Sequence, residues 1–502
     1  MPHSSHCFYN YLSPLAGVLL SFAFSPFDFG YLVVIALSIL FWSWEDVSAK
    51  KAALRGYLFG LGLFGCGVSW VYISVHDYGG ANAVGSGLLT AFFVAFWALF
   101  PALVGYCVVK IKFVAGSVLN ILIAPLLWVL IENYRGYWLL NGFPWLQVAY
   151  AQIDTPLGGY IPVLGVYGTG FLVALSAAII VFTLKYRYKT AILMTFLAGI
   201  WVGGGLLKNI TWTHAIGSAI KVSLIQGNIP QDQKWAPENK INTLLKYKQL
   251  TQEHWDSKVI IWPESAIPAF LSQVDAFFVT PLEVEARQHN VDLIVSLPLQ
   301  DTDSNDIYNG VLSLGHERMT YKKNHLLPFG EYLPLQPLSG FVLKLLGIKL
   351  GSFTAGGDDQ AFLKAGGYAF STSICYEDAF GGEVIRGVEY AAFLVNVTND
   401  AWFGHSIEPH QHMQMARLRA LETGRYLLRT TNTGVTAIVD ASGNIIQQAP
   451  LFETAVVTDS VTPMGGMTPY ARIGDTLIMS ILAILTLSLM VINYKRKKIT
   501  QQ

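Results

Sequence analysis

The sequence predicts a membrane α-helical bundle of about eight spans joined to one α/β domain outside the membrane. Two observations predict this fold class. The chain of 502 residues is 53% hydrophobic and only 13% charged, whereas soluble domains carry about 25% charged residues. The charges are sparse up to residue 210, dense from about 215 to 460, and sparse again until the tail. This pattern indicates a membrane part, a water-exposed part and a final membrane segment.

Long apolar segments account for the membrane part, because a helix needs about 20 apolar residues to cross a bilayer that offers no partners to free backbone groups. The predicted spans are 11–27, 31–44, 56–75, 87–109, 114–133, 160–184, 190–207 and 474–493. The N-terminus lacks the basic region and cleavage site of a removable signal peptide, so we expect the first span to stay as an anchor. Buried helices of a large soluble protein are a poor alternative for so many segments.

Lysine and arginine collect on one predicted side of the membrane, after the second, fourth, sixth and last spans. The clustered residues are Lys50, Lys51, Arg55, Lys110, Lys112, Lys185, Arg187, Lys189, Lys495, Arg496, Lys497 and Lys498. Because basic loops stay cytoplasmic, we expect both termini in the cytoplasm and the polar segment in the periplasm of a bacterium, with the chain in the inner membrane. The expected domains are 1–210 with seven spans, 211–472 outside the membrane, and 473–502 with the last span and a basic tail.

From about Ala219 onward, short apolar runs alternate with polar helical stretches. Strands interleaved with helices indicate an α/β layered domain, and continuous apolar runs are typical of strands covered on both faces. The predicted strands are 219–225, 258–262, 291–297, 307–314, 368–375, 391–397 and 426–439. The predicted helices are 237–254, 275–289 and 408–424. About 250 residues suffice for one large core.

Cys375 ends a predicted strand and precedes Gly381-Gly382, so it lies where a strand turns toward a helix. Such turns expose a side chain and direct backbone N–H groups at one point, which suits an oxyanion. None of the other cysteines lies in the polar segment, which therefore cannot form an internal disulfide. The thiol is either packed in the core or a nucleophile, and the adjacent acidic residues would raise its pKa unless a cation offsets them.

Glu264 follows the apolar run 258–262, at the strand edge where open α/β sheets collect ligands. It is either a solvated or capping carboxylate or a general base toward a thiol. Lys323 belongs to a lysine pair that comes some residues after the predicted strand 307–314. It is either a surface residue or an ammonium that stabilises a thiolate and an oxyanion. Taken singly, each of these signals is weak.

The three contexts occur in the order and spacing of a Glu-Lys-Cys triad, and the polar segment resembles the nitrilase superfamily. The matching motifs are Gln226-Gly227-Asn228-Ile229-Pro230-Gln231, Lys234-Trp235, Trp262-Pro263-Glu264, Pro328-Phe329-Gly330-Glu331-Tyr332, Cys375-Tyr376-Glu377 and Asn396-Val397-Thr398-Asn399-Asp400-Ala401-Trp402-Phe403-Gly404. Together with the spans, nearly the whole chain resembles the bacterial apolipoprotein N-acyltransferase family. The choice of Lys323 over Lys322 rests on the family's Tyr-x-Lys pattern.

This resemblance implies a nitrilase-like αββα sandwich and an N-acyltransferase that completes lipoprotein maturation in the membrane. A fatty acyl group would pass from a glycerophospholipid, typically phosphatidylethanolamine, through a Cys375 thioester to the α-amino group of an S-diacylglyceryl cysteine of an apolipoprotein. Glu264 would act as the base, and Lys323 would hold the oxyanion. The resemblance implies supporting roles for four residues: Glu331 and Glu377 orient the triad, and Trp235 and Tyr376 line the acyl or headgroup pocket.

Neither the resemblance nor the motifs imply a cofactor or a metal, since the sequence lacks a Gly-rich phosphate loop and a metal-spaced histidine cluster. The formal net charge of zero gives no argument for a nucleic-acid partner. A membrane-tethered amidase or nitrile hydrolase is the alternative, because it would use the same triad with water as the second nucleophile. A transporter would carry ionisable groups at mid-membrane, which the predicted spans nearly lack. The apolar stretch Leu335–Phe353 is either a core helix or an arm that gates lipid access.

Overall fold

The computed structural model describes residues 3–187, 189–345 and 352–501. The chain divides into two units by its internal contacts. The first comprises Met1–Tyr72, Val84–Ile210 and Arg472–Gln502, and the second comprises Ile73–Ala83 and Thr211–Ala471. The short segment Ile73–Ala83 therefore packs with the polar part of the chain, although it lies between apolar helices in the sequence.

The first unit is helical. Its principal helices are His3–Ser21, Leu32–Ser43, Ala49–Gly67, Ala83–Ile111, Asn120–Asn133, Ile161–Tyr186, Thr190–Leu207 and Pro469–Gln501. Glycines allow some of these helices to approach closely: a Cβ on Gly17 would lie 2.0 Å from the carbonyl oxygen of Phe59. Backbone contact of this kind is typical of helices that pack through small residues in apolar surroundings.

The prediction of about eight spans is wrong in number. In the described part of the chain, four helices are long and apolar enough to cross a membrane, or up to five if one bent pair counts as a single span. They are Ala83–Ile111, Pro156–Tyr186, Thr190–Leu207 and Pro469–Ile499, with Ala49–Gly67 and Val71–Tyr78 as the bent pair. The helix Leu32–Ser43 has only 12 residues. At a rise of about 1.5 Å per residue, it is shorter than the roughly 30 Å hydrocarbon core.

The second unit contains two six-stranded sheets and a short two-stranded ribbon. The strands in chain order are β1 His214–Ala215, β2 Ile220–Gln226, β3 Val259–Ile261, β4 Asp292–Gln300, β5 Ile307–Leu314, β6 Met319–Lys322, β7 Leu363–Ala365, β8 Tyr368–Ile374, β9 Leu394–Thr398, β10 Leu427–Thr431, β11 Ala437–Val439, β12 Ile445–Gln448, β13 Ala455–Val461 and β14 Met464–Gly465. The principal helices are Lys240–Gln252, Thr280–Gln288, Leu338–Leu345 and Glu408–Thr423.

The first sheet has the order β13-β2-β3-β4-β5-β6 and the second the order β12-β11-β10-β9-β8-β7. Strands β2, β3 and β4 are parallel to one another, as are β8, β9 and β10, and the outer strands pair antiparallel. The apolar core between the sheets takes residues from both, including Leu224, Ile261, Phe370 and Val395. Two further clusters pack the outer sheet faces against helices. These four layers agree with the predicted αββα sandwich.

Each predicted strand has a counterpart, with one correction. The segment 426–439 is two antiparallel strands, β10 and β11, because the chain turns at Thr433-Gly434 between them. Strands β6, β7, β12 and β13 were not predicted, since they are short or lie partly exposed at sheet edges.

The predicted arm Leu335–Phe353 lies partly outside the described residues, which omit 346–351. Its described part contains the helix Leu338–Leu345, and Leu338 and Phe341 are 66% and 68% exposed. Large apolar side chains so exposed on an otherwise polar domain are compatible with contact to lipid. The gating role stays a prediction.

The core between the two sheets predicts a sensitive position at Phe370. Its ring is fully buried and stacks on Phe393 with the centroids 5.5 Å apart. We expect Phe370→Ala to destabilise the unit by about 3–5 kcal/mol, because it removes an aromatic ring and leaves a cavity. The thermal midpoint of the detergent-purified protein measures this. Phe277→Ala, at a ring that is 57% exposed, is the control and should leave the midpoint nearly unchanged. Equal midpoints for the two variants would contradict the assigned core.

Candidate functional site

The three predicted catalytic side chains follow the ends of three strands in the second unit. Glu264 lies shortly after β3, Lys323 directly follows β6, and Cys375 directly follows β8. The first two strands belong to one sheet and β8 to the other. The structure brings the three together: Glu264 and Cys375 both lie close enough to Lys323 to raise the pKa of its ammonium.

A chain of hydrogen bonds connects Glu264 with Lys323. Asn309, on β5, donates from Nδ2 to Glu264 Oε1 at 2.7 Å and to Glu331 Oε1 at 3.2 Å. Lys323 Nζ donates to Glu331 Oε1 at 3.0 Å and lies 2.8 Å from Oε2. All four side chains are buried. Since a buried charge is tolerated only when it is paired and hydrogen-bonded, these contacts fix the ammonium and both carboxylates.

Two further hydrogen bonds that involve backbone atoms hold Glu331 and Glu264 in place. The N–H of Leu327 donates to Glu331 Oε2 at 2.8 Å, within the turn that carries Glu331. Lys234 is buried and donates from Nζ to the backbone carbonyl of Glu264 at 2.9 Å. Burial lowers the pKa of Lys234 to about 8, and the negative charge of Glu264 opposes this shift. Glu264 is thus held at both its backbone and its carboxylate.

Cys375 has a strained backbone and a reachable side chain. Its φ of 51° lies in the left-handed region, which a residue with a Cβ adopts only when its surroundings impose it. The residue begins the 3-10 turn Cys375–Ala379 at the end of β8. Its side chain is only partly buried. This is the strand-to-turn geometry that presents a nucleophile to a substrate.

Burial raises the pKa of the Cys375 thiol well above its usual value, and the carboxylate of Glu264 raises it further. The Lys323 ammonium lowers the same pKa but does not cancel these effects. Burial also raises the pKa of Glu264, against the opposing charge of Lys323. For Lys323 itself, burial would lower the pKa, but the surrounding carboxylates outweigh burial and raise it. The resting site therefore contains a neutral thiol beside a carboxylate able to take its proton and a permanent cation.

Glu377 ties together the segments on either side of the site. Its Oε1 accepts hydrogen bonds from the backbone N–H groups of Asn324 at 2.7 Å and His325 at 3.1 Å, and from the Tyr321 hydroxyl at 3.0 Å. Its Oε2 accepts from the N–H of Ile374 at 2.7 Å. Burial raises the pKa of Glu377 to about 6, although a nearby ammonium and these N–H groups lower it. The carboxylate thus fixes the residues that adjoin the lysine and the cysteine.

Comparison with known proteins identifies two regions of the chain. The apolipoprotein N-acyltransferase N-terminal domain matches residues 16–179, and the carbon-nitrogen hydrolase domain matches residues 221–466. An apolipoprotein N-acyltransferase of Methylococcus capsulatus is 50% identical over 467 residues, which cover 92% of each chain. That of Nitrosomonas europaea is 41% identical over 475 residues, covering 94% of this chain and 95% of the relative. This chain belongs to the apolipoprotein N-acyltransferase family.

Membership of the apolipoprotein N-acyltransferase family confirms several predictions. The chain is an acyltransferase with a lipoprotein substrate, and its α/β unit has the nitrilase-like fold of carbon-nitrogen hydrolases. The family and the apolar helices make it a membrane enzyme.

Trp235 and Tyr376, the predicted pocket residues of the acyltransferase, differ in their surroundings. Trp235 is 50% exposed and available for contact with a ligand. Tyr376 is 2% exposed, and its ring packs at 4.9 Å from Phe380 and 5.6 Å from His325, measured between ring centroids. The tyrosine ring thus supports the turn after the cysteine, and pocket lining remains a prediction for both residues.

Asn309 and a group of buried residues near the cysteine belong to the site but were not predicted from the sequence. Asn309 lies inside a β-strand and carries no motif of its own, so only its contacts reveal it. Asp400 lies in the motif 396–404. Nothing in the sequence connects it with His412 on the helix Glu408–Thr423 or with Arg429 on β10. These three side chains are hydrogen-bonded to one another or to shared partners and are buried.

Asp400, Glu408 and His412 also form the group among the described residues whose potential ligand atoms all lie within 4.8 Å of one another. Both ring nitrogens of His412 already face carboxylates, and Arg429 Nη2 lies 3.2 Å from Asp400 Oδ2. A divalent cation there would displace these bonds and face the guanidinium. We therefore assign the group to a hydrogen-bond network and not to a metal centre.

The electrostatics of the acyltransferase site predict opposite shifts in the alkylation of Cys375. Glu264→Gln removes an anion that raises the thiol pKa, so iodoacetamide labelling should begin at lower pH, although acyl transfer is lost. Lys323→Met removes a cation that lowers the thiol pKa, so labelling should begin at higher pH. Peptide-resolved mass spectrometry across neutral and alkaline pH gives the rates, and Cys66 in the same digest is the internal standard. Shifts in the same direction for both variants would contradict this electrostatic picture.

Proposed function

We propose that the enzyme takes a fatty acyl group from a glycerophospholipid, such as phosphatidylethanolamine, onto Cys375. It then transfers this group to the α-amino group of an S-diacylglyceryl cysteine at the N-terminus of an apolipoprotein. The observation that carries the proposal is the buried chain of Glu264, Asn309, Glu331 and Lys323 beside a cysteine held in a left-handed turn. A base, a fixed cation and a reachable thiol are the groups that an acyl-transfer site needs.

In the first half-reaction, Glu264 takes the proton of the Cys375 thiol as Sγ attacks the ester carbonyl of the phospholipid. Lys323 and backbone N–H groups of the turn at Tyr376 stabilise the oxyanion of the tetrahedral intermediate. When the intermediate collapses, the glycerol oxygen leaves with the proton held by Glu264. The products are a lysophospholipid and an acyl thioester on the enzyme.

In the second half-reaction, the acceptor amine attacks the thioester carbonyl, and Glu264 takes a proton from the amine nitrogen. The C–S bond breaks, an amide forms, and the proton returns to the thiolate. A thioester reacts readily with amines whereas the amide product does not, so the second step proceeds forward. In this reaction Glu331 and Glu377 are positioning residues, because they hold Lys323 and the cysteine turn in place.

We propose that the apolar helices anchor the enzyme in the bacterial inner membrane, with the α/β unit in the periplasm and both termini in the cytoplasm. The distribution of basic residues supports this orientation, because positive loops remain cytoplasmic. On this proposal the membrane domain comprises residues 1–210, the catalytic domain 211–472, and the last span with its basic tail 473–502. This orientation would place the catalytic unit on the periplasmic side of the membrane, where both lipid substrates would reach Cys375.

The proposed thioester predicts a covalent adduct. After incubation of the purified enzyme with phospholipid carrying a labelled acyl chain, intact-mass spectrometry should detect one added acyl group, located on the Cys375 peptide. A diacylated lipopeptide should discharge it as N-acyl peptide. Cys375→Ala is the matched control and should carry no adduct. Release of free fatty acid without N-acyl peptide would favour the membrane-tethered hydrolase, and product formation at the normal rate by Cys375→Ala would exclude the proposed nucleophile.

The exposed helix Leu338–Leu345 predicts a step-specific effect of added charge. Leu338→Glu and Phe341→Glu place carboxylates on a surface that we propose enters the lipid interface, where a charge is disfavoured. We expect slower thioester formation from phospholipid vesicles and an unchanged thermal midpoint. Leu245→Glu, at a side chain that is 56% exposed on the helix Lys240–Gln252, is the matched control. An equal loss of rate in the control would refute a specific role for the arm.

A further inference from the structure

A second buried charge cluster lies behind the proposed nucleophile. His412 Nε2 lies 2.9 Å from Asp378 Oδ1, and His412 Nδ1 lies 2.9 Å from Asp400 Oδ1. Arg429 donates to Asp378 Oδ2 at 2.7 Å, to Asn396 Oδ1 at 2.6 Å and to Asp400 Oδ2 at 3.2 Å. Each of these five residues is at most 1% exposed. We call Asp378, Asn396, Asp400, His412 and Arg429 the cysteine-support network.

The network contains a charged histidine. Carboxylate oxygens only accept hydrogen bonds, so both ring nitrogens of His412 must carry a hydrogen. Burial and the charge of Arg429 lower the pKa of His412, but Asp378 and Asp400 outweigh them and raise it to about 10. Glu408 lies 3.7 Å from His412 Nδ1, and burial raises the pKa of its carboxyl well above the usual value. The imidazolium of His412 and the guanidinium of Arg429 both contact the two aspartates.

The network is joined to the backbone and side chain of Cys375. Asp378 belongs to the same 3-10 turn, which begins at Cys375. Asn396 Nδ2 lies 3.5 Å from the carbonyl oxygen of Cys375. The Thr398 hydroxyl, which donates to Asp400 Oδ1 at 3.3 Å, also acts to lower the pKa of the Cys375 thiol. A left-handed conformation is unfavourable for a non-glycine residue, so the turn persists only where its surroundings fix it.

We propose that the cysteine-support network is the positioning device for the acylated nucleophile: it holds Cys375 in its left-handed turn and keeps the charge behind the thiol balanced. This inference rests on the proposed role of Cys375 in thioester formation. Its members are positioning residues, because they act through the turn and the field at the sulfur. Loss of Arg429 would leave two aspartates facing one imidazolium, and the excess negative charge would disfavour a thiolate.

The chain supplies a matched control in Arg425. This guanidinium is also fully buried, at the start of the same strand region, but it donates to backbone carbonyls of Ala391 at 2.6 Å, Val388 at 3.1 Å and Gly466 at 2.7 Å. Its loss removes buried hydrogen bonds without touching the cysteine turn. Arg425→Gln therefore reports what a purely structural arginine contributes.

The test compares Arg429→Gln, His412→Gln and Asn396→Asp with wild type and Arg425→Gln in the full-length, detergent-purified enzyme. Asn396→Asp is nearly isosteric and keeps the acceptor for Arg429, so it addresses the case in which the other variants fail to fold. Three quantities are measured: the thermal midpoint, the pH midpoint of Cys375 alkylation by iodoacetamide, and the rate of acyl-thioester formation from labelled phosphatidylethanolamine vesicles.

We expect the network variants to raise the alkylation midpoint by about one pH unit or more and to slow thioester formation about 100-fold or more. Arg425→Gln should lower the thermal midpoint. It should leave the alkylation midpoint within about half a pH unit of wild type and the rate of thioester formation within about threefold. Network variants that lose stability but keep the wild-type alkylation midpoint and rate would overturn the proposal, as would an equal shift in Arg425→Gln. A wild type without an adduct on Cys375 would refute the proposed function instead, while the alkylation midpoints would still judge the network.

Discussion

The site is organised by the need to compensate one fully buried ammonium. Lys323 is 1% exposed, and its ion pair with Glu331 is the contact that makes this burial possible. Breaking such a pair by removing one partner costs about 3–5 kcal/mol, because it leaves an uncompensated charge in a low-dielectric interior. The pair therefore holds the ammonium in a fixed place and fully charged. A cation that needs no reorganisation during the reaction is what an oxyanion requires.

The same compensation explains why the site needs carboxylates of different kinds. Glu331 accepts hydrogen bonds from both Lys323 and the N–H of Leu327, so groups of the protein already compensate its negative charge. Glu264 accepts one side-chain hydrogen bond from Asn309, and burial raises its pKa. Of the two carboxylates that share Asn309, Glu264 is thus the one suited to exchange a proton. The environment, and not the residue type, separates a positioning carboxylate from a base.

Strand register determines what lies behind the cysteine. Ser373 on β8 pairs with Asn396 on β9, and Asn396 pairs with Arg429 on β10. Because neighbouring positions in parallel strands point to the same face, the amide of Asn396 lies between the strand that ends at the nucleophile and the strand that carries the guanidinium. One hydrogen-bonded row thus connects the cysteine turn with the interior of the second sheet.

Much of this unit was accessible from the sequence, because its apolar runs match the strands and its polar residues follow strand ends. Glu264 and Cys375 became candidates for that reason, whereas Lys323 was chosen from the family's Tyr-x-Lys pattern. The number of spans was not, since hydropathy does not register that the segment 56–75 bends or that Leu32–Ser43 is only 12 residues long. The cysteine-support network could not be predicted from the sequence. His412 resembles a residue on the surface of a helix, and Arg429 interrupts the apolar run of a strand. Only the folded chain brings them to Asp378.

Because the resting thiol is neutral, the timing of thiolate formation depends on proton transfer. Burial and the carboxylate of Glu264 raise the pKa of the Cys375 thiol, so in the proposed reaction the thiolate forms as Glu264 takes the proton. On that proposal, proton transfer is productive when an ester carbonyl is in place and Lys323 stabilises its developing oxyanion. Reactivity is then coupled to substrate binding and is not a standing property of the sulfur. For the proposed half-reaction, whose product is a labile thioester, this coupling would limit unproductive chemistry before the acyl donor arrives.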